Sequence, residues 1–365
     1  MIFNNSFIFF KKKILSLYLN SSIYNKKINP TIISSLEYQP SPNFLDSLIK
    51  FEKKKINIEN YSLGNIWNDK NLKDKDYKNL NSFFWLFSLD LRSSKKDTQE
   101  IIQQWISKNY RYNHKSWEID ILAKRIIAWI SNARLTYEDG ASHYKDNFNG
   151  VIKKQINYLI DQIERSEKVD DKMIGCAAII LVGLCYHDED KYLDKGLNLL
   201  KKFVKFSLDN DGFPKSRNIR QLNFYLKYFI LIREWIKESQ NEIPDYINEY
   251  IYYLGQGYAF TWKNNNVDLL FNGNHETNND NFDHYLKKFD YNFKSQNKEI
   301  GGYVILNNKK YSLIMDIGDS PDKKFSSDYQ AGALSLEILT NGKKLICNSG
   351  YYQDYKNKLN DLSKS

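Results

Sequence analysis

The sequence has few of the residues that build covalent or metal-held frameworks. Its 365 residues include only three cysteines, Cys176, Cys185 and Cys347, and none of them forms a Cys-x-x-Cys pair. An odd number of separated thiols argues against a disulfide framework and against a cysteine-based zinc site, but it leaves an oxidising compartment possible. Because Cys176 and Cys185 lie in apolar helical runs, they are predicted to be small core residues.

Long apolar runs and cofactor motifs are also missing. No stretch of eighteen apolar residues occurs, so no transmembrane segment is predicted. Residues 1–13 are apolar before they are basic, which is the reverse of a signal peptide. There is no glycine motif for phosphates or dinucleotides, and no two of the five histidines have metal-ligand spacing on a helix. The sequence therefore predicts no cofactor and no metal, and it leaves the oligomeric state open.

Charge of one sign is in moderate excess. The formal net charge is +9, which favours an anionic partner such as nucleic acid, anionic lipid or an acidic polysaccharide. A simpler explanation for part of this excess is base composition. The sequence is rich in Lys, Asn, Ile, Tyr and Phe, which A/T-rich codons encode, so part of the lysine content would reflect the genome and lie on a solvated surface. A nucleic-acid binder would gather its basic residues along one groove, whereas here they are spread among Asp and Glu, so no nucleic-acid partner is predicted.

Helical periodicity dominates the middle of the chain. Apolar residues recur with the spacing of one helix face in a series of segments. These segments are residues 117–133, 152–163, 173–186, 193–204, 222–236 and 246–254. Successive helices of this length predict helix hairpins stacked in a curved α/α array or toroid.

The hydrophobic period changes from 3.6 to 2 near residue 265. Residues 267–271 are predicted to be a strand, and two hairpins are predicted in 301–316 and 333–347. The second hairpin has Asn341-Gly342 between its alternating runs, which is a strong turn signal since both turn residues need positive φ. Helices first and strands later predict separate α and β domains.

The predicted organisation is therefore α+β and multidomain. We expect an N-terminal arm with short helices at 1–75, an α/α toroid at 76–262 and an antiparallel β region at 263–365. About five strands that do not close would leave sheet edges unpaired. We accordingly expect the natural chain to be longer than this sequence.

Arg125 and Trp129 are four residues apart and share one helix face. One interpretation is a cation–π pair at the rim of the core. The other is a sugar-binding platform, with the indole under a pyranose ring and the guanidinium on an acidic group. Sequence alone leaves both open.

The segment from Asp211 to Asn218 joins two strong helices through a turn. Lys215, Arg217 and Asn218 would meet there at a helix N-terminus, where backbone N–H groups also favour anions. This combination predicts an anion site. The alternative is that Ser216 caps the following helix and the charges are solvated.

These segments together resemble the heparinase II/III-like family. The resemblance rests on the order and spacing of several stretches along most of the chain. They are residues 83–86, 117–130, 211–233, 270–273 and 302–350, the last including the strand predicted at 331–337.

The resemblance implies an (α/α) toroid followed by an antiparallel β-sandwich, of which residues 263–365 would be the start. It also implies polysaccharide lyase chemistry, namely β-elimination at a uronic acid of an acidic polysaccharide, in the cell envelope or periplasm. A cytoplasmic location stays open because no clear signal peptide is present. Pro214 stands where the family has a catalytic Tyr, and Gln330 stands where it has a His.

The candidate catalytic residues are thus Tyr329 as acid or base, with Arg217 and Asn218 neutralising the substrate carboxylate. The candidate substrate-binding residues are Arg125, Trp129, Lys215 and Gln330. The alternative function is that of a non-catalytic glycan-binding or cell-envelope polymer protein on the same scaffold.

Overall fold

The structure is a computed structural model. It describes residues 2–31, 34–46, 67, 72–89, 94–186, 190–263, 267–274, 279–327, 329, 332 and 334–350. The chain forms two compact units. The first comprises residues 1–46 and 50–198, and the second comprises residues 47–49 and 199–365. The boundary between residues 198 and 199 falls inside one helix. The domain limits expected from the sequence stay a prediction.

The first unit is helical. Its helices are α1 (Ile2–Leu19), α2 (Ser22–Ile28), α3 (Asn43–Asp46), α4 (Asp74–Ser82), α5 (Lys95–Asn109), α6 (Ile119–Ser131), α7 (Ala133–Thr136), α8 (Ser142–Gln162), α9 (Val169–Cys185) and the first half of α10 (Asp190–Ser207). Short 3₁₀ turns at Phe84–Ser88 and Ile163–Arg165 follow α4 and α8. The eighteen residues of α1 correct the expectation of only short helices in the N-terminal arm.

Two neighbouring helices form the centre of this unit. Helix α6 packs against α4 and α9, and α9 also packs against α8. Every residue of α9 from Met173 to Cys185 is buried, as its apolar sequence predicted. Cys176 and Cys185 are therefore core residues, and burial raises the pKa of the Cys176 thiol to about 12. Close helix packing requires glycine at position 183, where a Cβ would lie 2.3 Å from the backbone nitrogen of Leu193.

The second unit combines helices with a sheet. After the second half of α10 come α11 (Ile219–Glu238), α12 (Asp245–Tyr258), a π-helical turn (Ala259–Lys263) and α13 (Asp280–Lys288). The strands are β1 (Glu299–Ile300), β2 (Tyr303–Asn307), β3 (Tyr311–Asp316), β4 (Leu336–Thr340) and β5 (Lys343–Ile346). A 3₁₀ turn at Lys323–Phe325 lies between β3 and β4.

The five strands form one antiparallel sheet in the order β1-β2-β3-β4-β5. Both predicted hairpins are confirmed, with Tyr303 paired to Asp316 in the first and Thr340 paired to Lys343 in the second. Asn341 and Gly342 both have positive φ, as the tight turn requires. The described residues hold this single sheet and not the second one that a sandwich needs.

One predicted strand is wrong. Residues 267–271 pair with no other strand, although the turn expected after them is present at Asn272 and Gly273. Leu269, Leu270 and Phe271 are buried, so their apolar character reflects core packing and not membership of the sheet.

A lysine is buried where α8 meets α2. Lys154 has no exposed surface, and its ammonium donates to Asn25 Oδ1 at 2.7 Å and lies 3.7 Å from the centre of the Tyr110 ring. Burial, helped by the charge of Arg111, lowers the pKa of Lys154 from 10.5 to about 8. The folded protein therefore holds this proton less tightly than the unfolded chain does.

This pKa shift predicts a pH-dependent stability. Between about pH 8 and 10.5 the unfolded chain binds more protons, so the free energy of unfolding should rise with pH across that window, by ~1 kcal/mol or more. Lys154→Met should lose this rise, whereas Lys195→Met, which changes an exposed lysine of α10, should keep it. Urea unfolding at several pH values measures the three slopes, and equal slopes for all three proteins would contradict the assignment.

No helix in the described part of the chain is long and apolar enough to cross a lipid bilayer.

Candidate functional site

The loop that enters α11 is folded by its own polar residues. Asp209 Oδ1 accepts hydrogen bonds from the backbone N–H groups of Asp211 and Phe213, at 3.0 and 2.8 Å. Leu208 and Pro214 form an isolated antiparallel bridge across the loop. The turn expected from Asp-Gly is thus present, and it delivers residues 215–218 to the start of α11.

Asn218, and not Ser216, caps α11. Its Oδ1 accepts from the backbone N–H groups of Arg220 and Gln221, at 2.8 and 3.3 Å. Ser216 lies too early to reach the helix N–H groups, and its hydroxyl accepts from the N–H of Asn218 instead. Asn218 is buried, and its Nδ2 has no hydrogen-bond partner in the described part of the chain. The site therefore has one unused donor at a helix N-terminus.

Arg217 is engaged on every side by the protein itself. Its backbone lies in the left-handed region, with φ of 58°. Nε donates to Gly301 O at 3.1 Å, and Nη1 donates to Gly318 O and Asp319 O at 2.9 and 3.1 Å. Nη2 donates to Gly302 O at 2.9 Å and to the Asp316 carboxylate. With these donors used, Arg217 cannot also hold a substrate carboxylate. Its expected role as a neutraliser is replaced by a structural one, because it ties the loop to the ends of β2 and β3.

Glycine is required on both sides of this guanidinium. A Cβ at Gly302 would lie 2.8 Å from Nη2 of Arg217, and a Cβ at Gly318 would lie 2.6 Å from its Cζ. Gly302 also has φ of 78°, which side chains rarely adopt. The Gly301-Gly302 pair, which has no motif value in sequence, therefore has two packing roles: Gly302 makes room for Arg217, and Gly301 makes room for the Phe213 ring, which a Cβ would meet at 2.4 Å.

Four buried polar residues close a hydrogen-bonded ring. Asn272 Nδ2 donates to Asp316 Oδ2 at 3.0 Å and to the Tyr303 hydroxyl at 2.5 Å. The Tyr303 hydroxyl donates to Arg217 O at 2.6 Å, and the Arg217–Asp316 ion pair completes the ring. Burial raises the pKa of Tyr303 despite the opposing charge of Arg217, so this phenol stays neutral. Asn272 Oδ1 has no partner among the described residues and is an unused acceptor.

Tyr329 is partly exposed beside this ring. Its backbone N–H donates to Ser326 O at 3.2 Å, and its hydroxyl lies 3.4 Å from Ser320 Oγ. It lies near enough to Tyr303 to interact electrostatically with that buried phenol. A partly exposed phenol is therefore present near Tyr303. Gln330 lies outside the residues that the structure describes.

Lys215 stabilises a helix end. Its ammonium donates to the carbonyl oxygens of Lys205 and Phe206 at 2.9 and 3.3 Å, in the last turn of α10. A cation at a helix C-terminus is favourable because the last carbonyls lack partners there. Lys215 thus has a structural contact in place of the substrate contact expected from the sequence.

The predicted sugar platform of the first unit is part of the core. Trp129 has no exposed surface and packs against Phe83, Trp105 and Phe148, with ring centres 5.2 to 5.4 Å away. Arg125 is equally buried, and it lies over Trp105 at 4.0 Å and not over Trp129. The expectation that these two side chains bind sugar is therefore wrong for the folded chain, and the cation–π interpretation is right with a different partner.

The sequence analysis gave no role to Asn272, Tyr303 or Asp316. Local signals mark each of them: Asn272 precedes a glycine in a turn, Tyr303 follows a glycine pair, and Asp316 ends an apolar strand. None of these signals shows that the three side chains form a hydrogen-bonded ring with Arg217, which is 55 to 99 residues away along the chain. Three described histidines, His114, His143 and His284, are exposed as expected, and among the described residues no three His, Cys, Asp or Glu side chains could hold a metal ion.

Comparison with known proteins identifies the fold. Residues 294–365 match the heparinase II/III-like, C-terminal family. A crystal structure of heparinase III matches with a TM-score of 0.61 at 16% identity, over 92% of this chain and 62% of that one. A mutant of the heparan sulfate lyase HepC from Pedobacter heparinus matches with a TM-score of 0.62 at 14% identity, over 82% of this chain and 54% of that one. Another heparinase III structure matches with a TM-score of 0.63 at 14% identity, over 83% of this chain and 57% of that one.

The chain thus spans between 54% and 62% of the length of these three structures. No curated protein sequence matches it significantly. The predicted class, helices of an α/α toroid followed by an antiparallel sheet, is the class of the matched structures. Residues 294–365 are thus similar to the heparinase II/III-like C-terminal family, and the chain shares its fold with the matched heparinase III structures.

Proposed function

We propose that the chain is polysaccharide lyase-like and acts by β-elimination on an acidic glycan that contains uronic acid. The family and the heparinase III fold support a lyase-like function. The observation that carries the proposal is the amide of Asn218, whose Nδ2 is an unused donor at the N-terminus of α11. Since Nδ2 is shielded from solvent, a carboxylate reaches it when the neighbouring side chains move aside. A helix N-terminus with a free donor suits a carboxylate, which is the group that a uronic acid presents.

The reaction needs three contributions. The C5 carboxylate must lose negative charge so that the C5 proton becomes acidic, a base must take that proton, and an acid must protonate O4 as the C4–O4 bond breaks. The electron pair of the broken C5–H bond becomes the C4–C5 double bond, and the electron pair of the C4–O4 bond leaves with O4, which the acid protonates. We assign the first contribution to Asn218 and the proton transfers to Tyr329.

The other polar residues hold these two in place. Arg217 fixes the loop that carries Asn218, and the ring through Asp316, Asn272 and Tyr303 fixes the strands beneath it. We further propose that Gln330, next to Tyr329, contacts the sugar and that the protein resides in the cell envelope or periplasm, as the family resemblance implies.

The test is ultraviolet absorbance on a panel of uronate polymers, because the unsaturated product is conjugated to its carboxylate. We expect new absorbance with at least one polymer. Tyr329→Phe should reduce the rate about 10²- to 10⁴-fold, the usual contribution of general acid–base catalysis, and should leave binding unchanged. Calorimetry with the same polymer measures that binding.

Asn218 offers matched variants that keep the helix cap. Asp and Ser cap helices about as well as Asn, so Asn218→Asp and Asn218→Ser should fold. Both lose the Nδ2 donor, and the aspartate also repels the substrate carboxylate, so activity should fall for both and further for aspartate. Wild-type activity in both variants would remove Asn218 from the mechanism.

The two candidate functions give different results. Binding of a uronate polymer without any new absorbance would favour the non-catalytic glycan-binding function. Neither binding nor absorbance with any polymer would contradict both.

A further inference from the structure

A second polar feature, separate from the proposed lyase site, lies inside the helical unit. Arg125 of α6 has no exposed surface. Its Nη1 donates to the carbonyl oxygens of Asn81 and Ser116 at 2.9 and 3.0 Å, and its guanidinium carbon lies 4.0 Å from the centre of the Trp105 ring. One end and one face of the guanidinium are thereby held firmly.

The other edge of the guanidinium has no partner. Nε and Nη2 are both shielded from solvent, and neither makes a hydrogen bond to any described residue. These two nitrogens share one edge of the planar group, so their N–H bonds point in nearly the same direction. An edge of this kind is the fork with which arginine grips an anion.

The charge of Arg125 is also uncompensated by the described residues. None of their carboxylates pairs with it. Among these residues, Tyr77 is the ionisable side chain that interacts with it electrostatically, and it is a half-buried phenol that hydrogen-bonds to Ser116. Burial lowers the pKa of Arg125 well below its ordinary value, which reflects this missing compensation. Burying a lone charge is unfavourable, so a counter-charge beside Arg125 would stabilise the helical unit.

We propose that the Nε–Nη2 edge of Arg125 binds a small monovalent anion of the chloride type within the helical unit. Both nitrogens are shielded from solvent, so an anion enters only when neighbouring side chains move aside, and a small ion requires the least movement. The single positive charge and two parallel donors match one monovalent anion. This site stabilises the fold and takes no part in the proposed lyase chemistry.

The experiment compares thermal unfolding in sodium chloride and in sodium gluconate at equal ionic strength. Chloride should raise the melting temperature of the wild type along a saturating curve, as a ligand of the folded state does. Arg125→Met removes the charge while filling most of the space, and its melting temperature should not respond specifically to chloride. Arg134→Met, which changes an exposed arginine of α7, should keep the wild-type response.

A direct readout covers the case in which Arg125→Met does not fold. Wild-type crystals soaked in bromide should show an anomalous peak beside Nε and Nη2 of Arg125, and this peak alone would support the site. A chloride response that survives in Arg125→Met would overturn the proposal. So would the absence of both a chloride response and a bromide peak in the wild type.

Discussion

Replacing Arg217 by alanine is expected to lower the free energy of unfolding by about 3–5 kcal/mol. The substitution would leave the Asp316 carboxylate, which has no exposed surface, without its counter-charge. It would also remove the donors of the carbonyl oxygens of Gly301, Gly302 and Gly318. Urea unfolding followed by circular dichroism measures the change.

Two further variants test the reason for this loss. Arg217→Lys keeps the charge but not the planar fork, so its stability should lie between those of wild type and alanine. Adding Asp316→Asn to Arg217→Ala should recover part of the loss, because the unpaired buried charge is then gone. If Arg217→Ala were as stable as the wild type and bound uronate polymers more weakly, Arg217 would be a substrate residue after all.

Trp129→Ala is expected to cost a similar amount, about 3–5 kcal/mol, as removal of a large aromatic from a packed core usually does. Trp129 contacts three other aromatic rings and has no exposed surface. Trp129→Phe should cost much less, since it keeps an aromatic ring and removes an indole N–H that has no partner among the described residues. Thermal or urea unfolding compares the two variants.

The same variants separate a core role from a sugar-binding role. Tyr252→Ala, which removes an aromatic ring that is 58% exposed, should change stability little and serves as the control. A sugar platform would give the opposite pattern for Trp129→Ala, namely unchanged stability with weaker glycan binding.

The parts of the fold that were predicted correctly depend on neighbouring residues in the chain. The hairpin at Asn341-Gly342 was predictable because the turn residues and the alternating strands beside them are adjacent. The buried helix α9 was predictable because its residues are apolar on all sides. The strand predicted at 267–271 was wrong because its local signal is ambiguous: these apolar residues fit a strand or a packed loop equally well, and only their surroundings decide.

The candidate site shows the same limit more clearly. Asn218 was found from sequence because it stands at a helix start, and its unused Nδ2 became visible only once the cap was in place. The role of Arg217 was not predictable, because the groups that occupy its guanidinium lie 84 to 102 residues further along the chain. Arg125 and Trp129 share a helix face as predicted. The aromatic ring that lies against the Arg125 guanidinium is that of Trp105, and this depends on how α5 packs.

The sequence alone therefore determined the order of helices and strands, the hairpins, the buried thiols and the resemblance to heparinase II/III-like proteins, since these follow from periodicity, turn chemistry and motif order. Tertiary structure alone decided which charged and aromatic side chains are free to meet a ligand. A guanidinium or an indole has the same chemistry at the surface and in the core, and its function depends on whether distant parts of the chain have already satisfied its hydrogen bonds and covered its surface.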